Sequence, residues 1–223
     1  MNKHKYIIIL ILSALLLILV ASKAHAQELT LPERMVQSFI IVRTMSGVIG
    51  SGVYITDTDN TPYMLTAAHV VSSRRARTAC HQDRPLGKEE CVGWNWETIK
   101  VDEDLDLALI QLNRSFHLAT PAPYDPTYEF TYGEDIWLVG NPASARVMIS
   151  RGVLQGWIGI NKLTTTAQAW MGASGGPIFN GEGMLVGIYT SSVGTTHTPP
   201  GSDTQVYEMA EGLNQFSTLE TMF

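Results

Sequence analysis

The chain has 223 residues, with 21 acidic against 15 basic side chains and a net charge of −6. That length holds one large domain or two small ones. The acidic balance repels a phosphate backbone and argues against nucleic acid as a partner. The first stretch reads as a leader: Lys3, His4 and Lys5 precede an apolar run from Tyr6 to Ala21, and Ala24-His25-Ala26 has the small-x-small form of a processing site. Residues 1–26 are therefore expected to be a cleaved signal peptide, with export to the periplasm or outside the cell and no stable membrane association afterwards. An uncleaved anchor is the alternative, but a 16-residue helix reaches only about 24 Å, short of a hydrocarbon core of about 30 Å. Cleavage removes three lysines and no acid, taking the charge to −9. What remains is rich in Gly, Pro, Thr and β-branched residues without sustained helical periodicity, an all-β composition.

Strands are predicted over Val36–Arg43 and Gly47–Thr56, the second containing Gly50-Ser51-Gly52, where a kink or a close backbone approach fits. Asp57 to Asn60 is turn chemistry. Tyr63–Thr66 is a short strand leading into Ala67-Ala68-His69, and Val92–Val101 and Leu105–Leu112 follow. Cys80 and Cys91 are expected to form a disulfide closing the polar loop His81–Glu90, contributing about 2–3 kcal/mol. A zinc site of Cys80, His81 and Cys91 lacks a fourth ligand at normal spacing, so no metal or other cofactor is expected. Asn113 to Asp135, with Pro121, Pro123 and Pro126, reads as a connection between halves. In the second half, strands are predicted over Asp135–Val139, Arg146–Ile160, Lys162–Ala169 and Met184–Ser191, with bends or bulges at Gly152 and Gly156. A loop over Gly194–Ser202, a strand over Gln205–Ala210 and a terminal helix over Gly212–Met222 complete the chain. The expected organisation is a single domain, 27–223: an N-terminal barrel (27–118), a linker (119–134) and a C-terminal barrel with a short helix (135–223). The fold class is all-β, two six-stranded antiparallel barrels.

Chemistry centres on Gly172-Ala173-Ser174-Gly175-Gly176-Pro177. Glycines on both sides let the chain turn sharply around a serine and leave room for a substrate backbone. In such a turn the N–H groups of Gly172 and Ser174 converge, ready to hold an oxyanion. The same residues fit the elbow of α/β-hydrolases, but Gly175-Gly176-Pro177 opposes the helix that elbow requires, and His197 before Asp203 is the wrong order. The base must come from upstream. His4 and His25 leave with the leader, while His81, His117 and His197 sit in loops or the linker. His69 alone ends an apolar strand. The acid that orients it is sought in Asp102, Asp104 or Asp106, which alternate onto one strand face; Asp106, nearest the apolar run Leu107–Ile110, is preferred.

In the order His69, Asp106, Ser174 the sequence resembles trypsin-like serine proteases, and within them the high-temperature-requirement (Deg-type) branch, without a PDZ domain. Gly50 to Ile55, Leu65 to Val71, Asp106 to Leu109, Gly133-Glu134-Asp135, Gly140-Asn141-Pro142, Gly152-Val153-Leu154, Gly172 to Pro177 and Gly187 to Thr190 carry the likeness. The resemblance implies hydrolysis of unfolded or extended polypeptides and favours Asp106 as the acid. It implies that Gln168 and Ala169 lie at a specificity-pocket floor, that Tyr189, Thr190, Ser191 and Ser192 form its wall, and that Thr190 bonds the acid. Ala173 departs from the aspartate of trypsins and the asparagine usual in the Deg branch, so activation through a salt-bridged N-terminus is not expected. No acid stands at the pocket floor, and Tyr189 replaces the histidine of Glu-specific relatives. A small or medium apolar residue before the cut is the expectation, from a monomeric enzyme. The alternatives are a catalytically silent trypsin-like binding module, with bulky Trp170 and Met171 beside a closed loop, and an esterase on the same fold.

Overall fold

The computed structural model describes residues 29–44, 47–72, 76–83, 87–141, 147–197 and 206–223. The leader lies outside them. Among the described residues no helix is long and apolar enough to cross a membrane.

A seven-residue helix, α1 (Leu31–Gln37), comes first. The expected strand from Val36 therefore starts later. Pro32 suits a first helical turn because its missing N–H would be unpaired there. Ser38 ends the helix by donating from Oγ to Met35 O at 3.0 Å.

Six strands then close the first barrel: β1 (Phe39–Thr44), β2 (Gly47–Thr56), β3 (Pro62–Ala67), β4 (Ala76–Asp83), β5 (Lys88–Asp102) and β6 (Leu107–Leu112), in the order β1-β2-β3-β6-β5-β4. A five-residue helix, α2 (Ala68–Ser72), follows β3 directly. The second barrel is β7 (Asp135–Gly140), β8 (Met148–Gly159), β9 (Lys162–Thr165), β10 (Pro177–Asn180), β11 (Leu185–His197) and β12 (Val206–Thr218), in the order β10-β11-β12-β9-β8-β7. All of these strand pairs are antiparallel.

The continuous apolar run Phe39-Ile40-Ile41-Val42 has a physical reason. Ile40 and Val42 fill the first barrel, while Phe39 and Ile41 join Val53, Ile55, Leu65 and Leu107 in a second core. That second core also takes Val139, Phe179, Leu185 and Ile188 from the other barrel, so it is the interface between them. Strands buried on both faces read as unbroken hydrophobic runs rather than alternating ones. A third core, with Ile136, Leu138, Leu163, Ile178 and Phe216, fills the second barrel.

Three expectations are corrected. The terminal helix is absent. Residues 206–218 are β12, which pairs with β11 on one side and β9 on the other. Gly212, Asn214 and Thr218 are weak helix formers, and without this strand the barrel would stay open. The cysteine loop is a hairpin: Cys80 and Cys91 are register partners on β4 and β5, joined by a disulfide. His81 is consequently on a strand, 3% exposed, with Nδ1 3.0 Å from Phe39 O. Its ring and the bridged sulfurs are thus engaged, which removes the zinc alternative. Finally, β11 runs on to His197, so the start of the expected Gly194–Ser202 loop is paired strand.

The connection between barrels is pinned along its length. Thr120 N donates to Gln37 O at 3.0 Å and Ala122 N to Tyr54 O at 2.8 Å, both on the first barrel's side. Leu185 N of β11 donates to Pro123 O at 2.8 Å.

Candidate active site

His69 lies in the first turn of α2, directly after β3 has delivered the chain from the barrel. Asp106 closes the turn between β5 and β6, with a left-handed φ of 57°. That conformation, tolerated by Asp at some cost in energy, aims three acceptors at one helix end. Asp106 O accepts from Ala68 N at 2.9 Å. Oδ1 accepts from His69 N at 2.9 Å and Oδ2 from His69 Nδ1 at 2.6 Å. The carboxylate thus caps α2 and orients the ring in one stroke. A hydrogen on Nδ1 leaves Nε2 with its lone pair, the state a general base needs.

The rival acids have other positions. Asp102 Oδ1 accepts from Leu105 N at 2.9 Å. That N–H foremost, with Thr221 and Lys162 adding to it, holds the Asp102 carboxyl below the usual range. Asp104 is exposed. The three do not share a strand face, because residues 103–106 form a turn and β6 begins at Leu107. The expected Thr190–Asp106 bond is not formed among the described residues. A different hydroxyl steadies this turn: Ser217 Oγ of β12 donates to Leu105 O at 2.6 Å.

Ser174 stands in a turn laid against the first barrel. Ser51 N donates to Ser174 O at 2.8 Å. A Cβ on Gly175 would lie 2.2 Å from Ser51 O and 2.2 Å from Thr66 Oγ1, and one on Gly50 3.1 Å from Ser174 O. These glycines are what let the serine's backbone meet β2 and the end of β3, the strand that leads into His69. Gly172 and Gly175 have φ of 95° and 83°, both in the left-handed region. Ala173 N donates to Trp170 O at 2.9 Å and Gly176 N to Ala173 O at 2.8 Å. Among the described residues, neither Gly172 N–H nor Ser174 N–H is taken by another group. Nor does a hydrogen bond join Ser174 Oγ to His69 in this geometry. Such contacts commonly tighten only when substrate binds.

A profile of the trypsin-like peptidase domain matches residues 50–188, more than half of the chain. The chain belongs to the trypsin-like peptidase family. As a serine protease domain, the peptidase is related to several Deg-type and magnetosome proteases. It is 28% identical over 176 residues to the serine endoprotease DegS of Haemophilus influenzae, covering 74% of this chain and 45% of DegS. With the magnetosome formation protease MamE of Magnetospirillum gryphiswaldense it shares 29% over 163 residues, 69% of this chain and 20% of MamE. The peptidase thus spans less than half the length of these curated relatives. The crystal structure of the serine endoprotease from Yersinia pestis superimposes with a TM-score of 0.60 at 22% identity, covering 87% of this chain and 64% of that one. At that identity the likeness speaks for the fold.

In the peptidase, the residues expected around the pocket divide into two groups. Gln168 lines a shallow cleft with Leu138, Gly140, Met148, Ser150, Trp170 and Ala173, none of them on β11. Ala169 and Tyr189 are instead buried together in the second barrel's core. Thr190 is buried beside them, and Ser191 is exposed on β11. Ser192 belongs to a chain of side chains: Tyr189 OH and Ser192 Oγ are 2.6 Å apart, and Ser192 Oγ donates to Asn214 Oδ1 at 2.7 Å. Asn214 Nδ2 then donates to Ala167 O at 2.7 Å. With the Ser192 hydroxyl hydrogen directed at Asn214 Oδ1, Tyr189 OH is left to donate to Ser192 Oγ.

Asn214, Ser51 and Ser217 were not among the predicted site residues. Asn214 and Ser217 lay hidden in the expected helix; a strand reading of Asn214 to Thr218 would have turned Asn214 and Phe216 inward. Ser51 stood between two glycines whose close approach was expected, but nothing in the sequence gives the hydroxyl a partner 121 positions away.

Proposed function

We propose that this domain is an exported serine endopeptidase using His69, Asp106 and Ser174 through an acyl-enzyme. The observation that carries the reading is the double grip of the Asp106 carboxylate on His69, at the backbone N–H and at Nδ1. It fixes the one tautomer in which Nε2 can take a proton from Ser174 Oγ. Oγ then bonds to the scissile carbonyl carbon, whose π electrons move to oxygen. The N–H groups of Gly172 and Ser174 hold that oxyanion, and a single such donor is typically worth about 10²–10³ in rate. Collapse breaks the C–N bond, and the amine leaves with the proton from His69. Water, giving a proton to His69, then attacks the ester, and His69 passes that proton to Ser174 Oγ as the ester C–O bond breaks and the acid is released.

An extended polypeptide is the substrate that suits a half-buried serine in a turn laid against the opposite barrel. A small or medium apolar residue before the cut fits a site where Tyr189 and Ala169 are packed and uncharged. The enzyme is read as a monomer released by leader cleavage.

The test uses residues 27–223 and a Ser174→Ala twin, given a fluorophosphonate probe and an unfolded protein. The parent should be labelled and should cut, and the twin should do neither, with kcat lower by about 10⁴–10⁶. Asp106→Asn should lose about 10⁴ while still folding, because the amide can keep the cap yet favours the wrong tautomer. Ester turnover without peptide turnover would identify an esterase. A parent that is neither labelled nor active would be a binding module.

A further inference from the structure

We infer that Ser51 is a positioning residue for the oxyanion donors: its hydroxyl, reaching from the first barrel, holds the Gly172–Ala173 peptide so that the Gly172 N–H faces substrate. This rests on the peptidase reading above and names what keeps that site ready.

Ser51 is fully buried on β2, and its polar groups are all engaged. Its N–H holds Ser174 O at 2.8 Å. Its carbonyl accepts from Thr66 Oγ1 at 2.6 Å. Its Oγ donates to Gly172 O at 2.7 Å and accepts from Asn141 N at 3.3 Å. With Asn141 N–H occupying the acceptor side, the hydroxyl proton is aimed at Gly172 O.

The Gly172–Ala173 peptide plane is thereby tied at both edges, its oxygen by Ser51 and its N–H by Trp170 O at 2.9 Å. The next plane is tied at Ala173 O by Gly176 N, and this sends the Ser174 N–H the opposite way, since C=O and N–H of a trans peptide point apart. The Gly172 N–H, in the preceding peptide plane, is then set against this anchored plane by the ψ and φ of Gly172 alone, and its φ of 95° is open to glycine at little cost. Residue 173 is alanine, so no side chain at that position contributes a polar anchor to the turn. The anchor comes from the opposite barrel. Without it, Gly172 O would lose its partner in a part-buried site, a situation a peptide relieves by turning. Gly172 N–H would turn with it.

The test compares the parent domain with Ser51→Ala, Ser51→Cys and Ser38→Ala on an extended peptide, measuring kcat and KM separately and the rate of fluorophosphonate labelling. Ser38 is the control, since it too is a buried serine donating to a carbonyl, Met35 O at 3.0 Å, but in α1. Ser51→Ala should lose about 10- to 100-fold in kcat and in labelling rate, less than the loss of a whole donor, with KM within about 2-fold. Ser51→Cys, a weak donor of similar shape, should fall between, and Ser38→Ala should keep the parent's kcat. Ser51→Ala with a parental kcat overturns the inference, as does an equal loss in Ser38→Ala. If Ser51→Ala does not fold, Ser51→Cys decides alone, and a parental kcat there overturns it. A parent that neither cuts nor is labelled overturns the peptidase reading itself, and this inference falls with it; an active parent separates the two.

Discussion

A single side chain can link elements that lie far apart in sequence. Asn214, 6% exposed, does this by receiving Ser192 Oγ and donating to Ala167 O. The link runs from β11, through β12, to the segment a few residues before the turn that carries Ser174. Asn214→Ala would leave a buried carbonyl and a hydroxyl without their partners, which costs about 1–3 kcal/mol. The same change should raise KM for peptides with small residues before the cut and relax the preference, because Ser192 loses the acceptor that orients its hydroxyl oxygen toward Tyr189 OH. Denaturant midpoints give the first effect, and a peptide library the second. Unchanged KM and preference would mean that this chain of hydrogen bonds supports the barrel alone.

At the scale of elements, the segment leaving β6 is fastened by one carboxylate on β5. Glu90 pairs with Arg114 and accepts from His117 N at 2.7 Å and Leu118 N at 2.9 Å. Burial pushes its carboxyl up, but Arg114 and the two backbone N–H groups outweigh this and hold it below the usual range. A folded-state value below the unfolded one means stability that is present above about pH 4.3 and lost as pH falls through the folded value. Glu90→Gln should therefore lower stability at neutral pH by about 1 kcal/mol, a modest figure because Arg114 is 47% exposed and water screens the pair. The variant's acid unfolding should also start from a flatter baseline below that pH. Parallel melting curves at pH 7 and pH 3.5 check the sign; a stability gap between parent and variant that does not shrink at the lower pH would contradict it.

The elements that were legible in sequence are those whose local pattern matches their final environment. Asp57 to Asn60 is one: Asp57 Oδ1 accepts from Asp59 N and Thr61 N, and Asn60 has φ 61°. Most strands belong with it, and so does the meeting of His69 with Asp106. Elements fixed by distant partners were not legible. β10 has four residues and begins with a proline, so nothing marks it as a strand before β7 and β11 flank it. β4 lost its signal because its polar residues suggested a loop, though Ala79, Cys80 and His81 are all buried. β12 shows the same effect, with strand partners on both sides overruling a weak helical spacing. Gly152, expected to bend, pairs regularly with Ile136; its missing side chain serves the backbone of Ala167, whose N would lie 2.0 Å from a Cβ.

At the scale of the whole double barrel, residues 31–223 form one compact unit, and the core the barrels share belongs to neither alone. Phe179, 1% exposed, packs there with Phe39, Leu65 and Leu107 from the opposite side. Phe179→Ala should cost about 3–5 kcal/mol and should shift one cooperative transition rather than split it in two. Calorimetry and fluorescence would report coincident midpoints. Separate transitions would show that each barrel is stable alone.

The pinned connection between the barrels carries a further consequence. Its backbone is hydrogen-bonded to α1, β2 and β11, and the exposed turn at Thr131, Tyr132 and Gly133 lies near its end. Covalent continuity at that turn adds little to the placement of His69 against Ser174, which the shared core and the Ser51 bond already provide. Severed there, the folded protein would persist as two associated polypeptides, with His69 and Asp106 on the first and Ser174 on the second, and the proposed activity would become a property of their association.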